Sequence, residues 1–526
     1  MSRMVEIFDS TLRDGAQGEG IAFSVEDKLH IAQLLDGLGA AYIEAGNPGS
    51  NPKDLEFFER AKRLTFKNAK LCAFGSTRRC GADAASDKNV RSLLDACTPV
   101  VCIFGKASEL HVQRVLRTTP RENLAMIAET VAFFKEAGRE VVFDAEHFFD
   151  GCLVNEHYAF AALDAAAQAG ADTLCLCDTN GAAYPTGVFA RTQQAVKRFG
   201  DRVAIHCHND TGLAVANSLF AVDAGARQVQ GTFIGFGERC GNANLSTLIA
   251  DLQLKRGIGC IPAENMPMLT SAARALAEIA NLSLPPAMPY VGASAFAHKG
   301  GMHIDGVSKL TCSFEHIDPE QVGNERRFLM SEVSGRTTLL AAVNRVDQAL
   351  TKDSPQTKSI MQKIKELEHY GYQFEAAQSS VELLIRRQLG PYKPYFALAH
   401  YKIITEHPVH ENIDCATAII KLSVDGITEI TAAQGDGPVH ALDCALKKAL
   451  VKFYPELAQV RLTDYKVRVM EPRDATAAKV RVLIESTDGV SSWSTVGVST
   501  DIIEASWIAL VDSIEYKLIA KQAVIA

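Results

Sequence analysis

The sequence has little of what marks a chain for a membrane, a nucleic acid or a disulfide framework. No run approaches the roughly 18 to 20 consecutive apolar residues of a membrane span. The start, Met1-Ser2-Arg3-Met4, runs straight into a strand-like segment with no signal-peptide core. Positive charge is not in excess: 54 Lys and Arg stand against 62 Asp and Glu, a net charge of -8. A general nucleic-acid binder needs a positive field, so that class is disfavoured. The 13 cysteines are scattered, odd in number, and form no pair of CxxC motifs at zinc-finger spacing. They read as reduced thiols used as small core residues. The expectation is a cytoplasmic protein with no membrane or nucleic-acid partner.

The remaining composition is that of a globular protein, with 47% hydrophobic and 22% charged residues over 526 positions. That length implies two or three domains. Up to about residue 258, short β-rich runs alternate with longer helical stretches. The strand candidates are Val5–Phe8, Ala41–Glu44, Lys70–Phe74, Val100–Phe104, Glu140–Asp144, Thr173–Cys177, Val203–Cys207 and Gln228–Phe233. Helix candidates such as Val25–Gly37, Arg121–Ala137, Tyr158–Ala169 and Leu213–Ala224 separate them, and several end in glycine. Eight such units predict a (β/α)8 TIM barrel over residues 1–258. An open doubly wound sheet is the rival, but the first strand leads into Asp9-Ser10-Thr11-Leu12-Arg13-Asp14-Gly15, a charged loop and not GxGxxG.

Residues 259–373 lose the alternation. Met266–Ile279, Arg336–Leu350 and Gln356–Tyr370 read as helices, and Ala297–Gly306 and Ile317–Gly323 as loop-rich, so this part is a mostly helical connecting subdomain. Residues 374–526 read as a separate α+β domain. Its strand candidates are Val381–Arg386, Tyr395–Glu406, Ala416–Val424, Ile427–Ala433, Asp464–Met470 and Ala478–Ser486, with helices at Val439–Tyr454 and Ile502–Ala520.

Barrel enzymes place their chemistry at the C-terminal ends of strands. Four polar segments fall there: Arg13-Asp14, Asp144-Ala145-Glu146-His147, His206-Cys207-His208-Asn209-Asp210 and Gly235-Phe236-Gly237-Glu238-Arg239-Cys240-Gly241-Asn242. Side chains two apart on a strand share a face, so His206 and His208 can hold one ion while Cys207 packs the other way. Strands one, seven and eight adjoin in a closed barrel, which brings Asp14 and Asn242 to the same mouth. Two imidazoles, a carboxylate and an amide oxygen suit Mn²⁺, Mg²⁺, Co²⁺ or Zn²⁺ with positions left open. An HxH pair alone fits a packing pair equally well, Glu146 fits a salt-bridged loop carboxylate, and Gly235–Asn242 fits a flexible turn.

Three motifs together go further. Asp9-Ser10-Thr11-Leu12-Arg13-Asp14-Gly15-Ala16-Gln17, His206–Asp210 and Gly237–Asn242 resemble the metal-dependent Claisen-condensing barrel family, which includes the isopropylmalate, homocitrate and citramalate synthases. Ala297–Gly306 is similar to the family's connecting subdomain. Gln434-Gly435-Asp436-Gly437-Pro438-Val439-His440-Ala441-Leu442 is similar to its regulatory domain, with His440 where Asp is common. Asp14–Gly20, Pro48–Asp54 and Glu315–Arg327 resemble the citramalate-forming subgroup.

That resemblance implies acetyl-CoA and pyruvate as substrates and a place in isoleucine biosynthesis. It also implies isoleucine as an effector of residues 374–526, and a homodimer. It implies Asp14, His206, His208 and Asn242 as metal ligands. Arg13 and Thr179 would contact the 2-oxo acid, although a strand-end salt bridge and a turn cap are the simpler readings of those two. Glu146 would act as base or orient it. His303 would reach an active site from the connecting subdomain, although a lone loop histidine is commonly solvated. Gly235, Gly237 and Gly241 would let backbone approach the acyl-CoA. The alternatives are a 2-isopropylmalate synthase using 3-methyl-2-oxobutanoate, a lyase on the same barrel, and an amino-acid-sensing protein with an inactive barrel.

Overall fold

The computed structural model describes residues 4–329, 343, 351, 354–390, 392–405, 416–470, 478–489 and 491–525. The helix expected at Arg336–Leu350 lies outside the described residues, apart from Val343. The chain divides into two compact units. One holds residues 1–296 and 317–326, the other residues 297–316 and 327–526.

The first unit is a closed barrel of eight parallel strands in sequence order. The strands are β1 Glu6–Asp9, β2 Tyr42–Glu44, β3 Lys70–Ser76, β4 Val100–Lys106, β5 Glu140–Glu146, β6 Thr173–Asp178, β7 Val203–Cys207 and β8 Gln228–Gly231. Parallel strands covered by helices are buried on both faces, so they read as apolar runs and not as alternation. Every residue of β6 and β7 is buried accordingly. Inside the barrel Phe8 stacks on Tyr42, and Cys72, Val100, Cys102 and Val142 fill the layer around them. The cysteines here are small, buried core residues whose thiols burial pushes up.

The surrounding helices begin and end where local chemistry requires. Val25–Leu38 starts with a capping box between Ser24 and Asp27. It ends at Gly39, in the left-handed region at φ 108°, where a Cβ would lie 2.3 Å from Pro262 Cδ. The helix expected from Tyr158 instead runs Phe148–Gln168, broken by non-helical backbone at Asn155. Asn155 accepts the Tyr158 N–H and donates to Glu109, so it caps a new segment near the expected start.

The second unit carries two three-stranded antiparallel sheets. One is β11 Ala397–Thr405, β12 Ala416–Val424 and β13 Ile427–Gly435, followed by helix Pro438–Leu450. The other is β14 Arg461–Val469, β15 Val480–Thr487 and β16 Ser492–Ser499, followed by helix Ile502–Ile525. The result is a strand-strand-strand-helix pattern repeated once. Ile420, Leu422, Leu446, Ile484, Leu510 and Ile514 share its core. β9 Ala297–His298 and β10 Arg327–Phe328 form a short parallel pair.

Three expectations change. Val381–Arg386 is not a strand but part of helix Gln378–Leu389, because a short apolar run fits either period. The Glu382–Arg386 pair spans one helical turn at 2.7 Å and supports the helix. Ala297–Gly306 is not loop throughout, since helix Gly301–Lys309 begins inside it despite its paired glycines. β16 was not expected, because Ser-Trp-Ser-Thr-Val-Gly-Val-Ser is rich in serine and carries a glycine.

Candidate active site

Asp14 follows β1, His206 lies on β7 and His208 just beyond it. β8 pairs with both β1 and β7, so the three meet at the C-terminal mouth. His206 Nε2 and His208 Nε2 lie 3.7 and 3.8 Å from Asp14 Oδ2. The three side chains each offer a ligand atom within 4.8 Å of the others, and all are buried. Cys207 faces away into fully buried packing.

Charge is arranged to keep this cluster deprotonated. Burial pushes the Asp14 carboxyl up. Arg13, the two histidines and the Asn242 amide outweigh it and hold the group well below the usual carboxylate range. Burial and the neighbouring His208 pull His206 down to about 3. Burial likewise lowers His208, with Arg239 and Arg13 adding to it. A carboxylate and two neutral imidazoles are the protonation states that a divalent ion requires. The donor set therefore fits such an ion.

Asn242 touches Asp14 through its N–H, which donates to Oδ1 at 3.0 Å, while its own Oδ1 is buried without a partner among the described residues. A half-turn of the amide would bring the oxygen to the cluster. His208 Nδ1 is also buried, with no hydrogen-bond partner among the described residues.

Arg13 is anchored before any substrate arrives. Its Nε donates to Glu44 at 2.6 Å, its Nη1 donates to Asp14 at 2.8 Å, and its guanidinium lies 3.8 Å over the Phe74 ring. The Ser10 hydroxyl donates to the same Glu44 oxygen. The strand-end salt bridge is thus real, and Arg13 still lines a cavity of about 350 Å³. Asp14, Glu146, Thr179, His206 and His208 line the same cavity, with Phe74, Phe104 and Cys177 as its less polar wall. Phe74 and Phe104 stack at 5.3 Å.

The Thr179 hydroxyl accepts the His147 N–H at 2.8 Å, so it also ties two loops together. Glu146 pairs with Lys106. Gly235 and Gly241 both sit at positive φ, and a Cβ on Gly241 would lie 2.1 Å from the Gly235 carbonyl oxygen. At Gly237 a Cβ would meet Asn242 Nδ2 at 2.3 Å and Asp14 Oδ1 at 3.3 Å. These glycines fold the loop tightly against the cluster. Arg239 fastens it by donating to Asp210 and to the Thr179 carbonyl. His303 belongs to the second unit, where it is exposed and stacks on Phe314 at 4.1 Å.

Sequence reasoning missed Glu44, Phe74, Phe104 and Gln230 as parts of this interior, and named Asp144 only as the start of the strand-end segment Asp144–His147. The available signal was a polar residue at an inward position of an otherwise apolar strand.

Three family models match in succession. Residues 4–276 match HMGL-like, 290–371 the homocitrate synthase post-HMGL domain-like family, and 375–518 the LeuA allosteric (dimerisation) domain. The chain is 53% identical over 519 residues to an (R)-citramalate synthase of Aquifex aeolicus, covering 98% of each chain. It is 48% identical over 526 residues to one of Synechocystis sp., covering 97% of this chain and 96% of the relative. A 2-isopropylmalate synthase of Pyrococcus furiosus shares 31% identity over 514 residues, covering 96% and 97%.

Proposed function

The chain belongs to the HMGL-like barrel family and within it to the (R)-citramalate synthases, and from that premise we propose that it condenses acetyl-CoA with pyruvate to give (R)-citramalate and CoA. The observation that carries this reading is the 53% identity across 98% of both chains. The buried Asp14–His206–His208 cluster beside an anchored Arg13 supports it.

The methyl protons of a thioester are weakly acidic, so carbon–carbon bond formation needs a base and stabilisation of the enolate. The second substrate needs its ketone made electrophilic. A divalent ion held by Asp14, His206 and His208, with Asn242 as a fourth ligand, would supply that polarisation. Arg13 faces the developing alkoxide and balances its charge. Thr179 donates its hydroxyl to the pyruvate carboxylate. Glu146 removes the methyl proton or orients the group that does. His303 is a further catalytic candidate, on the family resemblance of Ala297–Gly306. The Gly235–Gly241 loop lies along the thioester. Water then hydrolyses the citramalyl thioester, and CoA leaves as the thiol.

The stacked Phe74–Phe104 pair is the apolar wall against which the methyl group of pyruvate would pack. Residues 374–526 bind isoleucine as an inhibitor and pair two chains, a reading supported by their match to the LeuA allosteric (dimerisation) model. Release of the CoA thiol, followed with each 2-oxo acid, tests the reaction. The expected order is a higher kcat/KM with pyruvate than with 3-methyl-2-oxobutanoate, and the reverse order would replace this reading with the 2-isopropylmalate one.

A further inference from the structure

Below the histidine–carboxylate cluster, three buried polar side chains cross the barrel interior in line. His206 Nδ1 lies 3.1 Å from Gln230 Oε1. Gln230 Nε2 donates to Asp144 Oδ1 at 3.0 Å. The three residues are 5%, 0% and 4% exposed, so bulk water does not compete for these bonds. They come from β7, β8 and β5. Because β5 and β8 are not neighbours, the Gln230 amide spans the lumen.

An ionised carboxylate only accepts hydrogen bonds. Asp144 therefore requires the N–H end of the Gln230 amide. The amide oxygen is then left facing His206, and an oxygen there requires a proton on Nδ1. The imidazole has one proton in its neutral form, so Nε2 carries the bare lone pair. That nitrogen faces Asp14 at 3.7 Å. Among the described residues His208 Nδ1 has no such partner, so the ordering acts on His206 alone.

We propose that Asp144 and Gln230 are a positioning pair that holds His206 in its Nδ1–H tautomer and thereby raises the affinity of the centre for a divalent cation. This rests on the metal reading of Asp14, His206 and His208. Asp144 also borders the cavity, so the test reads cation binding in the absence of substrate, where the pair acts through the orientation of one ring.

The test uses the full-length, metal-free protein titrated with Co²⁺ and followed by its visible spectrum. It is run at pH 8, because burial and the nearby Glu44 raise the Asp144 carboxyl to about 7. Asp144→Asn allows the Gln230 amide to turn over, and should weaken Co²⁺ binding by about 10- to 100-fold. Adding Gln230→Glu exchanges acid and amide along the same line. The new carboxylate accepts from both neighbours, so the double variant should recover most of the wild-type affinity. A purely structural role predicts no such recovery.

Unchanged Co²⁺ affinity in Asp144→Asn, or a double variant no better than the single one, overturns the proposal. Spectra of the ¹⁵N-histidine-labelled wild-type protein provide a readout free of any variant's folding. His206 must carry its proton on Nδ1, and a proton on Nε2 overturns the proposal by itself. If the wild-type protein binds no Co²⁺ at all, the metal reading fails instead, and the tautomer still decides whether the pair orders the ring.

Discussion

Asp9 and Asp14, five residues apart, show how position decides the charge of a carboxylate. Asp14 is buried against the Arg13 guanidinium and the Asn242 amide and stays ionised far into acid. Asp9 is equally buried, but one of its oxygens has no partner among the described residues, and burial raises its carboxyl to about 7 from an ordinary 3.8. Between those values the folded protein holds a proton that the unfolded chain has released. Stability contributed at Asp9 is therefore highest in acid, falls as pH rises through this window, and is fully lost above about 7. Asp9→Asn keeps an oxygen for the Thr11 N–H, bonded at 2.8 Å, and removes the titration. Its Tm should exceed that of the wild-type protein by a few degrees at pH 8, with the difference closing towards pH 4. A pH-independent difference in thermal melting would refute the argument. The metal-ligand candidates were legible at this scale because HxH and Arg-Asp stand at strand ends. Gln230 was not, and Asp144 was legible only as part of a strand-end segment, since the partners of both are distant in sequence.

The ends of β3 and β4 set one wall of the cavity beside the cluster. Phe74 carries Arg13 over its ring and stacks with Phe104, so one aromatic pair serves both charge placement and shape. Phe104→Ala should leave Arg13 on Phe74 while opening space beside the 2-oxo acid. The ratio of kcat/KM for 3-methyl-2-oxobutanoate over pyruvate should rise about 10- to 100-fold, the range expected when a pocket gains room for extra methyl groups. An unchanged ratio in competing-substrate assays would move the specificity wall elsewhere. Most barrel elements were readable from periodicity, because their helices keep an apolar stripe and end in glycine. Helix Gln378–Leu389 and β16 were not. The first has too short an apolar run to distinguish periods, and the second takes its strand identity from pairing with β15 along its whole length.

Within the second unit, the repeated strand-strand-strand-helix pattern encloses its own core, and both tryptophans of the chain, Trp493 and Trp507, lie there. Tryptophan emission therefore reports residues 374–526 alone. Titration with isoleucine should change that emission with the same midpoint at which it inhibits release of the CoA thiol. Inhibition without any change in emission would place the effector elsewhere. No helix among the described residues is long and apolar enough to cross a membrane. By itself the sequence determined the barrel, the family, and the ends of the strands on which chemistry would sit, because periodicity, caps and motifs are local. Only the tertiary structure decided the anchoring of Arg13 by Glu44, the aromatic wall, and the line from Asp144 through Gln230 to His206. Each of those depends on which inward side chains meet across a closed barrel, and that follows from strand register and packing over more than eighty residues of intervening chain for Asp144 and Gln230.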